Sequence, residues 1–292
     1  MRLICPNKSF FSNWIKVEIK KRFESNIADL DNKIFNKEAH NYEIVLLRAK
    51  SFLKFKLKSK IRYILSPTTG LNHIDEKIKR LKKIKIISLK NEFDFLKKVN
   101  ATVEFTIYLI LFSLRFDQLK KLNSKNIKTL GNEINKKKIG IIGNGRIGKK
   151  VARILKSFGA KIIVYEIKKD NKKKLNKLLS VSDLITLHIP LENNNNFFDV
   201  KKINIIKYGC KIINTSRGEI IDEKALKVAI KKKKISYFTD VLSNESNFSK
   251  NPLMKLKKNI YYTRHIAGLT KESVELTDKF IFKKFLKLYE KN

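Results

Sequence analysis

Short apolar runs alternate with longer amphipathic stretches along the first hundred residues. Residues 1–6 read as a strand followed by a turn, and residues 42–47, 61–65 and 84–87 read as further strands. Residues 74–82 have the apolar spacing of a helix. Because parallel strands need crossover connections, usually helices, this alternation predicts an α/β fold with a parallel sheet.

A second series of strands and helices begins at residue 138. Before it, the pattern predicts a helix over residues 101–121 and a polar connection over residues 123–137. The predicted strands of this series are 138–142, 161–165, 184–188, 211–214 and 236–240; the predicted helices are 149–158 and 223–231, and the asparagines at 193–196 form a loop. The chain therefore carries two consecutive α/β units.

The charge of the chain poses a question about its partners. The 292 residues include 66 Lys and Arg against 27 Asp and Glu, a formal net charge of +39 that would suit nucleic acid or an anionic membrane. Ten of the 66 are arginines, and the 56 lysines are spread from Lys8 to Lys291. Asn, Ile and Phe, which also have A/T-rich codons, are abundant, so we favour drift in base composition over a specific nucleic-acid partner. Peripheral binding to anionic lipid stays open.

Other bulk features narrow the class of protein. An apolar fraction of 42% is too high for a disordered polycation. The two cysteines, Cys5 and Cys210, exclude a disulfide framework and favour a reducing cytoplasm. The longest apolar stretch, residues 107–114, is far shorter than the roughly 20 residues of a membrane span, and the first residues lack the apolar core of a signal peptide. We expect a cytoplasmic protein without a membrane partner or a metal site.

A glycine-rich turn joins the predicted strand at 138–142 to the helix that follows. In the sequence GNGRIG, Gly143 makes the tight turn, Gly145 lets the backbone approach a pyrophosphate, and Gly148 allows close packing of helix on strand. The N–H groups around Arg146 and Ile147 would face the anion. The strand, turn and helix together predict a dinucleotide-binding site.

An acidic residue follows this turn at the distance expected for ribose recognition. Glu166 ends the next predicted strand, 18 residues beyond Gly148, where its carboxylate can accept both ribose hydroxyls of NAD. The same carboxylate would repel the 2′-phosphate of NADP. Lys168 and Lys169 could accommodate that phosphate, so the sequence favours NAD and leaves NADP open.

Five blocks of the sequence, in the same order along the chain, resemble the D-isomer-specific 2-hydroxyacid dehydrogenases. They cover about half of the chain and lie at residues 140–148, 182–191 (SDLITLHIPL), 213–218 with 222–226 (INTSRG and DEKAL), 239–245 and 265–268 (HIAG). Residues 66–75 extend the likeness into the first hundred residues. The resemblance implies a Rossmann-type, doubly wound NAD-binding domain over residues 98–269. It implies that this domain is inserted into a smaller flavodoxin-like substrate domain, residues 1–97 plus 270–292.

The resemblance also implies a catalytic trio of Arg217, Glu245 and His265. Reduction of a 2-keto acid needs an anchor for its carboxylate and a polarised keto oxygen, both within reach of a planar guanidinium. It also needs a proton donor, which His265 can supply because histidine changes charge near neutral pH. Glu245 would hold the imidazole and favour its protonated form.

Further contacts follow from the same resemblance. Asp240 would accept a hydrogen bond from the nicotinamide carboxamide, and His188 would lie near the cofactor or serve only as a structural residue at a strand end. The implied cofactor contacts are Gly143, Gly145, Arg146, Ile147, Gly148, Glu166, His188, Pro190, Thr215 and Asp240; the implied substrate contacts are Thr69, Gly70, Arg48 and Arg217. For Arg48, a surface cation was an equally good interpretation.

Two departures from the family pattern bear on loop geometry. Arg264 replaces the proline that usually precedes the catalytic histidine. The helix that often carries a histidine near its start reads Val103-Glu104-Phe105 here. Neither departure removes a residue of the implied trio.

The function implied is NAD-dependent interconversion of a D-2-hydroxy acid and its 2-keto acid. The substrate would be a small anionic acid, with 3-phosphoglycerate and glycerate or hydroxypyruvate as candidates. The alternative is a dinucleotide-sensing binding protein on the same fold. The resemblance implies a homodimer, and only about one helix after His265 implies that no C-terminal regulatory domain follows.

Overall fold

The computed structural model describes residues 1–119, 129–233, 235–256 and 258–290. It divides into two compact units, Met1–Asn100 with Leu269–Asn292 and Ala101–Gly268. The predicted boundaries at residues 97 and 270 lie three residues and one residue from these divisions.

The first unit is built on a five-stranded parallel sheet. Its strands have the order β2-β1-β3-β4-β5, which is the order of flavodoxin-like folds and confirms that prediction. The elements are β1 (Arg2–Cys5), α1 (Asn13–Arg22), β2 (Glu24–Ile27), α2 (Asn32–Glu38), β3 (Ile44–Leu46), β4 (Tyr63–Ser66), α3 (Glu76–Lys79), β5 (Lys85–Ser88) and α4 (Phe93–Leu96).

The second unit is built on a six-stranded parallel sheet. Its strand order is β11-β10-β9-β8-β6-β7. The elements are α5 (Ala101–Leu119), β6 (Lys138–Ile142), α6 (Arg146–Ser157), β7 (Lys161–Tyr165), α7 (Lys172–Val181), β8 (Leu184–Leu187), α8 (Val200–Ile205), β9 (Lys211–Asn214), α9 (Glu223–Lys233), β10 (Ser236–Thr239) and β11 (Ile260–Tyr262). Because β6 lies between β7 and β8, the winding reverses there, and such a reversal is where open α/β sheets bind ligands. The Rossmann-type prediction is confirmed.

The predicted elements differ from the structure mainly at their ends. Strands β6, β7 and β9 have the predicted bounds, whereas the helix predicted over 149–158 begins earlier, at Arg146, because Gly145 is its N-cap. Residues 120–128, which include the end of the helix predicted over 101–121 and part of the polar connection predicted over 123–137, lie outside the described residues.

The last helix, α10 (Lys271–Tyr289), belongs to the first unit. Ile281, Phe282 and Phe285 on this helix are fully buried in a cluster with Leu3 of β1 and Tyr63 of β4. Burying a large apolar side chain stabilises a fold by about 1.5–3 kcal/mol. The core of the first unit therefore includes a helix that follows the whole second unit in the sequence.

No helix among the described residues is long and apolar enough to cross a membrane. Those residues also contain no group of three or more His, Cys, Asp and Glu side chains placed to hold a metal ion.

Candidate active site

The glycine-rich turn after β6 is sterically restricted at two positions and open at a third. Gly143 has a φ of +99°, and a Cβ there would lie 2.4 Å from the carbonyl oxygen of His188. A Cβ on Gly148 would lie 2.0 Å from the carbonyl oxygen of Gly143, whereas one on Gly145 would have no neighbour within 4 Å. No side chain caps α6, and the first N–H groups of a helix lack intrahelical acceptors. The turn therefore fits a pyrophosphate at Gly145 and the start of α6.

Glu166 lies directly beside this turn. Its Oε2 accepts a hydrogen bond from the backbone N–H of Asn144 at 2.8 Å, and its own N–H donates to Oδ2 of Asp170 at 2.7 Å. These two bonds hold the carboxylate at the end of β7, next to the pyrophosphate turn. This is the place that ribose recognition by Glu166 requires. The residues of the turn thus fit NAD.

Two of the other candidate cofactor residues, His188 and Thr215, make side-chain hydrogen bonds within the second unit. His188 follows β8, its Nε2 lies 3.1 Å from Oγ1 of Thr186, and burial lowers its pKa to about 3, so the imidazole is neutral. The hydroxyl of Thr215 lies 2.8 Å from that of Thr106, while Pro190 is exposed. A neutral His188 can pack against a cofactor but adds no positive charge for its phosphates. Burial lowers the pKa of the Arg146 guanidinium at the start of α6.

His265 and Glu245 form a hydrogen-bonded pair in the second unit. Nδ1 of His265 lies 3.0 Å from Oε2 of Glu245, and the two side chains are 26% and 27% exposed. An ionised carboxylate only accepts hydrogen bonds, so Nδ1 carries the hydrogen and donates it. Nε2 is therefore the ring nitrogen that can exchange a proton with a bound molecule.

Asp240 fixes the loop that carries His265. His265 has a φ of +54°, a left-handed conformation that is uncommon for residues other than glycine. Its N–H donates to the carbonyl of Asp240 at 2.8 Å, and the N–H groups of Ile266 and Ala267 donate to the Asp240 carboxylate, each at 2.8 Å. The hydroxyl of Thr263 donates to the same carboxylate at 2.6 Å. Sequence reasoning gave Asp240 a contact with nicotinamide and missed this use of both its oxygens.

Arg217 lies in the turn after β9. Nη1 of Arg217 donates to the carbonyl of Ser216 at 2.6 Å, and the Asn214 amide donates to the carbonyl of Arg217 at 2.9 Å. Burial lowers the pKa of the guanidinium, which Glu245, Glu219 and Glu192 counteract. An arginine so placed stays charged at neutral pH. The charge of Glu245 thus acts on Arg217 as well as on His265, its hydrogen-bond partner.

Gly218 allows the Arg217 turn to approach the segment that leads to Glu245. A Cβ at Gly218 would lie 2.0 Å from the carbonyl carbon of Leu242 and 2.2 Å from the nitrogen of Ser243. Any side chain there would push the two segments apart. Gly218 therefore allows Arg217, the residue before it, to lie close to the segment that leads to Glu245.

Glu223 is a residue of the site that sequence reasoning missed. It is only 4% exposed, and its carboxylate accepts hydrogen bonds from the N–H of Ser243 at 2.8 Å, the amide of Asn251 at 2.6 Å and the Ser243 hydroxyl. Burial raises its pKa. Glu223 therefore ties down the segment before Glu245. Its position in the DEKAL block marked it only as part of the resemblance.

Arg264 occupies the position of the missing proline and packs on an aromatic ring. Its guanidinium carbon lies 5.2 Å from the centre of the Phe248 ring, in the short helix that begins at Glu245. Cation–π contacts of this kind stabilise by about 0.5–1 kcal/mol at exposed sites. The contact links the His265 loop to the Glu245 segment by a different means than a rigid proline.

The candidate substrate residues Thr69, Gly70 and Arg48 lie in the first unit. Thr69 is exposed and Gly70 half-buried in the loop after β4. Arg48 is only 6% exposed, so the interpretation as a surface cation was wrong. Its Nη2 donates to Oδ1 of Asp278 on α10 at 2.6 Å, and its Nη1 donates to the carbonyl of Pro67 at 3.3 Å. These contacts favour a structural role for Arg48 over substrate binding.

The Arg48 pair leads to a prediction about stability. Asp278→Asn should lower the free energy of unfolding by about 3–5 kcal/mol, because it leaves the Arg48 charge buried without a counter-charge. Urea denaturation measures the change. Asp94→Asn, which removes an exposed partner of Lys97, is the control and should leave the urea midpoint unchanged. Equal midpoints for the two variants would contradict the structural role.

Comparison with known proteins agrees with this site. A family model described as "D-isomer specific 2-hydroxyacid dehydrogenase, NAD binding domain" matches residues 113–267. An erythronate-4-phosphate dehydrogenase of Wigglesworthia glossinidia brevipalpis is 30% identical over 283 residues, which are 92% of this chain and 68% of that protein. A D-3-phosphoglycerate dehydrogenase of Archaeoglobus fulgidus is 26% identical over 280 residues, which are 89% of this chain and 51% of that protein.

A solved structure extends the likeness to the whole chain. The crystal structure of D-lactate dehydrogenase from Aquifex aeolicus, complexed with NAD and lactic acid, matches with a TM-score of 0.78 and 26% identity, over 100% of this chain and 96% of that one. The match of the family model to more than half of the chain, together with the cofactor turn, identifies the relationship. The chain belongs to the D-isomer-specific 2-hydroxyacid dehydrogenases, oxidoreductases that use NAD.

Proposed function

We propose that this protein interconverts a phosphorylated D-2-hydroxy acid and its 2-keto acid, with 4-phosphoerythronate as the first candidate and 3-phosphoglycerate as the second. We choose phosphorylated acids because of the share of this chain that two sequence alignments cover. The relatives named for these two acids match 92% and 89% of this chain, which includes the first unit with its candidate substrate residues. Unphosphorylated glycerate or hydroxypyruvate is the alternative.

Arg217 is the proposed anchor of the substrate. Its guanidinium can donate two parallel hydrogen bonds to a carboxylate or a carboxylate and a keto oxygen, and such charge-assisted bonds are roughly twice as strong as neutral ones. Because the side chain is half-buried, less water competes with the substrate for these donors than at an exposed arginine. Arg217 would therefore orient the acid and polarise its carbonyl.

His265 is the proposed acid and base. In reduction, Nε2 gives its proton to the oxygen of the forming alcohol, and in oxidation the same nitrogen takes that proton back. Glu245 holds Nδ1, so the ring cannot turn and the proton is always exchanged at Nε2. Asp240 keeps the backbone of this residue in place.

NAD would be held by the turn from Gly143 to Gly148 and by Glu166, with further contacts proposed for Arg146, Ile147, His188, Pro190, Thr215 and Asp240. Bound NAD supplies the hydride acceptor in oxidation, and NADH supplies the hydride in reduction. The protein contributes the position of the cofactor. Gly145 leaves the backbone open to the phosphates, while Gly143 and Gly148, where a Cβ would meet backbone atoms, allow the turn to pack closely.

We also propose a homodimer that forms through the second unit. The helix α5 exposes 46% of Tyr108 and 38% of Leu111. The Tyr108 ring stacks on Phe112 and lies tilted against Phe105 on the same helix. Exposed aromatic rows of this kind are typical of protein interfaces. Light scattering of the purified protein at several concentrations measures its mass.

A cytoplasmic location stays part of the proposal. Cys5 and Cys210 are both free and buried, and burial raises the pKa of each thiol to about 12. Buried, protonated thiols are inert residues of the core and suit a reducing compartment.

A panel of 2-keto acids, each with NADH and with NADPH, tests the function. We expect NADH consumption to be fastest with a phosphorylated keto acid, with a kcat/KM at least about tenfold above glyoxylate, pyruvate or hydroxypyruvate, because each charge-assisted bond to the phosphate adds affinity. A higher kcat/KM with an unphosphorylated acid would refute the substrate. Tight NADH binding without turnover of any acid would favour the dinucleotide-sensing alternative.

A further inference from the structure

We propose that His73, Ser66 and Thr68 act as positioning residues for substrate binding through a directed chain of hydrogen bonds that ends on the carbonyl of Gly70. The proposal rests on the proposed function and on Thr69 and Gly70, the substrate contacts that the family resemblance implies for this loop. It assigns to three residues of the first unit a role that none of the five sequence blocks suggested.

The chain of hydrogen bonds is continuous and mostly buried. Nε2 of His73 lies 3.0 Å from Oγ of Ser66, Oγ of Ser66 lies 2.8 Å from Oγ1 of Thr68, and Oγ1 of Thr68 donates to the carbonyl oxygen of Gly70 at 2.8 Å. His73 is 3% exposed and Ser66 is fully buried at the end of β4. The chain therefore runs from the core of the first unit to its exposed loop.

The direction of every bond follows from the number of hydrogens each group owns. A hydroxyl has one hydrogen to donate, and Thr68 gives its hydrogen to Gly70, so Thr68 must accept from Ser66. Since the Ser66 hydroxyl donates its one hydrogen to Thr68, it must accept a hydrogen bond from His73. Nε2 of His73 is therefore protonated, in the neutral ring as well as in the charged one. Each donor in such a chain polarises the next and strengthens its bond.

The chain of hydrogen bonds sets the orientation of the peptide group between Gly70 and Leu71, and the N–H of Leu89 sets that of the preceding group between Thr68 and Thr69. In a trans peptide the C=O and the following N–H point in opposite directions. The Gly70 carbonyl is held by Thr68, and the Thr68 carbonyl accepts from the N–H of Leu89 at 3.0 Å, so the N–H groups of Leu71 and Thr69 point away from these partners. In the described part of the chain, no acceptor is found for the N–H groups of Thr69, Gly70 or Leu71. Successive free N–H groups are a recurrent means of binding an anion.

A second buried histidine of the same unit provides a matched comparison. His40 is 4% exposed and makes two hydrogen bonds, to Oγ of Ser59 at 2.9 Å and to the carbonyl of Lys54 at 3.0 Å. Neither partner leads to the loop after β4. Loss of His40 should therefore affect stability alone, whereas loss of His73 should also affect the substrate.

The test is steady-state kinetics of isosteric variants, with the keto acid that the wild type reduces fastest. Thr68→Val should raise KM for the keto acid about tenfold, Ser66→Ala about fivefold and His73→Leu about threefold, because each successive loss lies one bond further from Gly70. The values of kcat and of KM for NADH should change by less than about twofold. Thr68→Ser and His73→Gln, which keep the donors, should restore KM to within about twofold of the wild type.

His40→Leu is the control and should lower Tm without raising KM for the keto acid. Calorimetric binding of oxalate to the NADH complex repeats the comparison without turnover. It separates this proposal from the proposed function, because oxalate affinity reports the loop even if no acid is reduced. If Thr68→Val does not fold, Ser66→Ala and His73→Leu carry the same test. An unchanged KM and oxalate affinity in the folded variants, or an equal effect of His40→Leu, would overturn the proposal, as would a wild type that does not bind oxalate.

Discussion

Replacement of His265 by alanine is expected to lower kcat for reduction of the keto acid by about 10²–10⁴-fold, the usual contribution of a positioned general acid. Only Nε2 of this ring is available for proton exchange, since Nδ1 is bonded to Glu245 at 3.0 Å. The loss should therefore appear in the chemical step. Single-turnover mixing of the NADH complex with keto acid measures it directly, and NADH affinity should stay within about twofold of the wild type.

A double-variant comparison sharpens this prediction. Glu245→Gln keeps a hydrogen-bond acceptor beside Nδ1 but removes the charge, so its loss in kcat should be smaller than that of His265→Ala. Because Glu245 acts through His265, the double variant should be no slower than His265→Ala alone. His40→Gln, at a buried histidine of the other unit, is the control for general damage. Additive losses in the double variant would show that Glu245 acts independently of the imidazole.

Replacement of Arg217 by glutamine is expected to lower kcat/KM for the keto acid by about 10²–10⁴-fold. Two charge-assisted hydrogen bonds are lost, each contributing about 1.5–3 kcal/mol, and every 1.4 kcal/mol corresponds to a factor of ten. Arg217→Lys keeps the charge without the planar fork, so its kcat/KM should lie between those of the wild type and Arg217→Gln. Steady-state kinetics with both variants separate the contribution of charge from that of geometry.

The control for Arg217 is an arginine elsewhere on the protein. Arg62 is exposed, and Arg62→Gln should leave kcat/KM unchanged. The affinity for NADH should be the same in all three variants, because neither Arg217 nor Arg62 is among the proposed cofactor contacts. A parallel fall in NADH affinity and keto-acid turnover would mean that Arg217 supports the fold of the site rather than the substrate.

Several of the strands predicted correctly have residues that are buried on both faces of the sheet. All four residues of β8 and of β10 are buried, and each strand carries large apolar or aromatic residues flanking or flanked by threonine, a composition that favours strands and is visible in the sequence. The edge strands β2 and β11 were missed. Their residues are half-buried or exposed, because a strand at the edge of a sheet needs apolar residues only where it meets the core. The other two edge strands, β5 and β7, were predicted because each carries a run of β-branched residues. Residue type therefore decided which edge strands the pattern detected.

The site residues divide in a similar way. Arg217, Glu245, His265 and the glycine turn were recognised because each lies in a short block with family-like neighbours. The residues that hold them were not, since the bonds of Glu223 reach 20 and 28 residues along the chain and those of Asp240 reach 23 to 27. For Arg48 the local sequence was misleading. Its motif suggested a site for an anionic substrate, but its guanidinium is bonded to Asp278, which lies 230 residues away in the sequence.

By itself, the sequence determined the α/β class, the dinucleotide turn and the family, because strand burial and phosphate binding each leave a local pattern of residue types. It also predicted the trio of Arg217, Glu245 and His265, through the family resemblance. Only the tertiary structure showed that Nδ1 is the nitrogen of His265 bonded to Glu245, that Asp240 and Glu223 hold the two loops of the pair, and that Arg48 is buried against Asp278. It also revealed the directed chain from His73 to Gly70. The physical reason is that a hydrogen bond is specified by distance and direction between groups far apart in the chain, and neither quantity is written in the local spacing of residues.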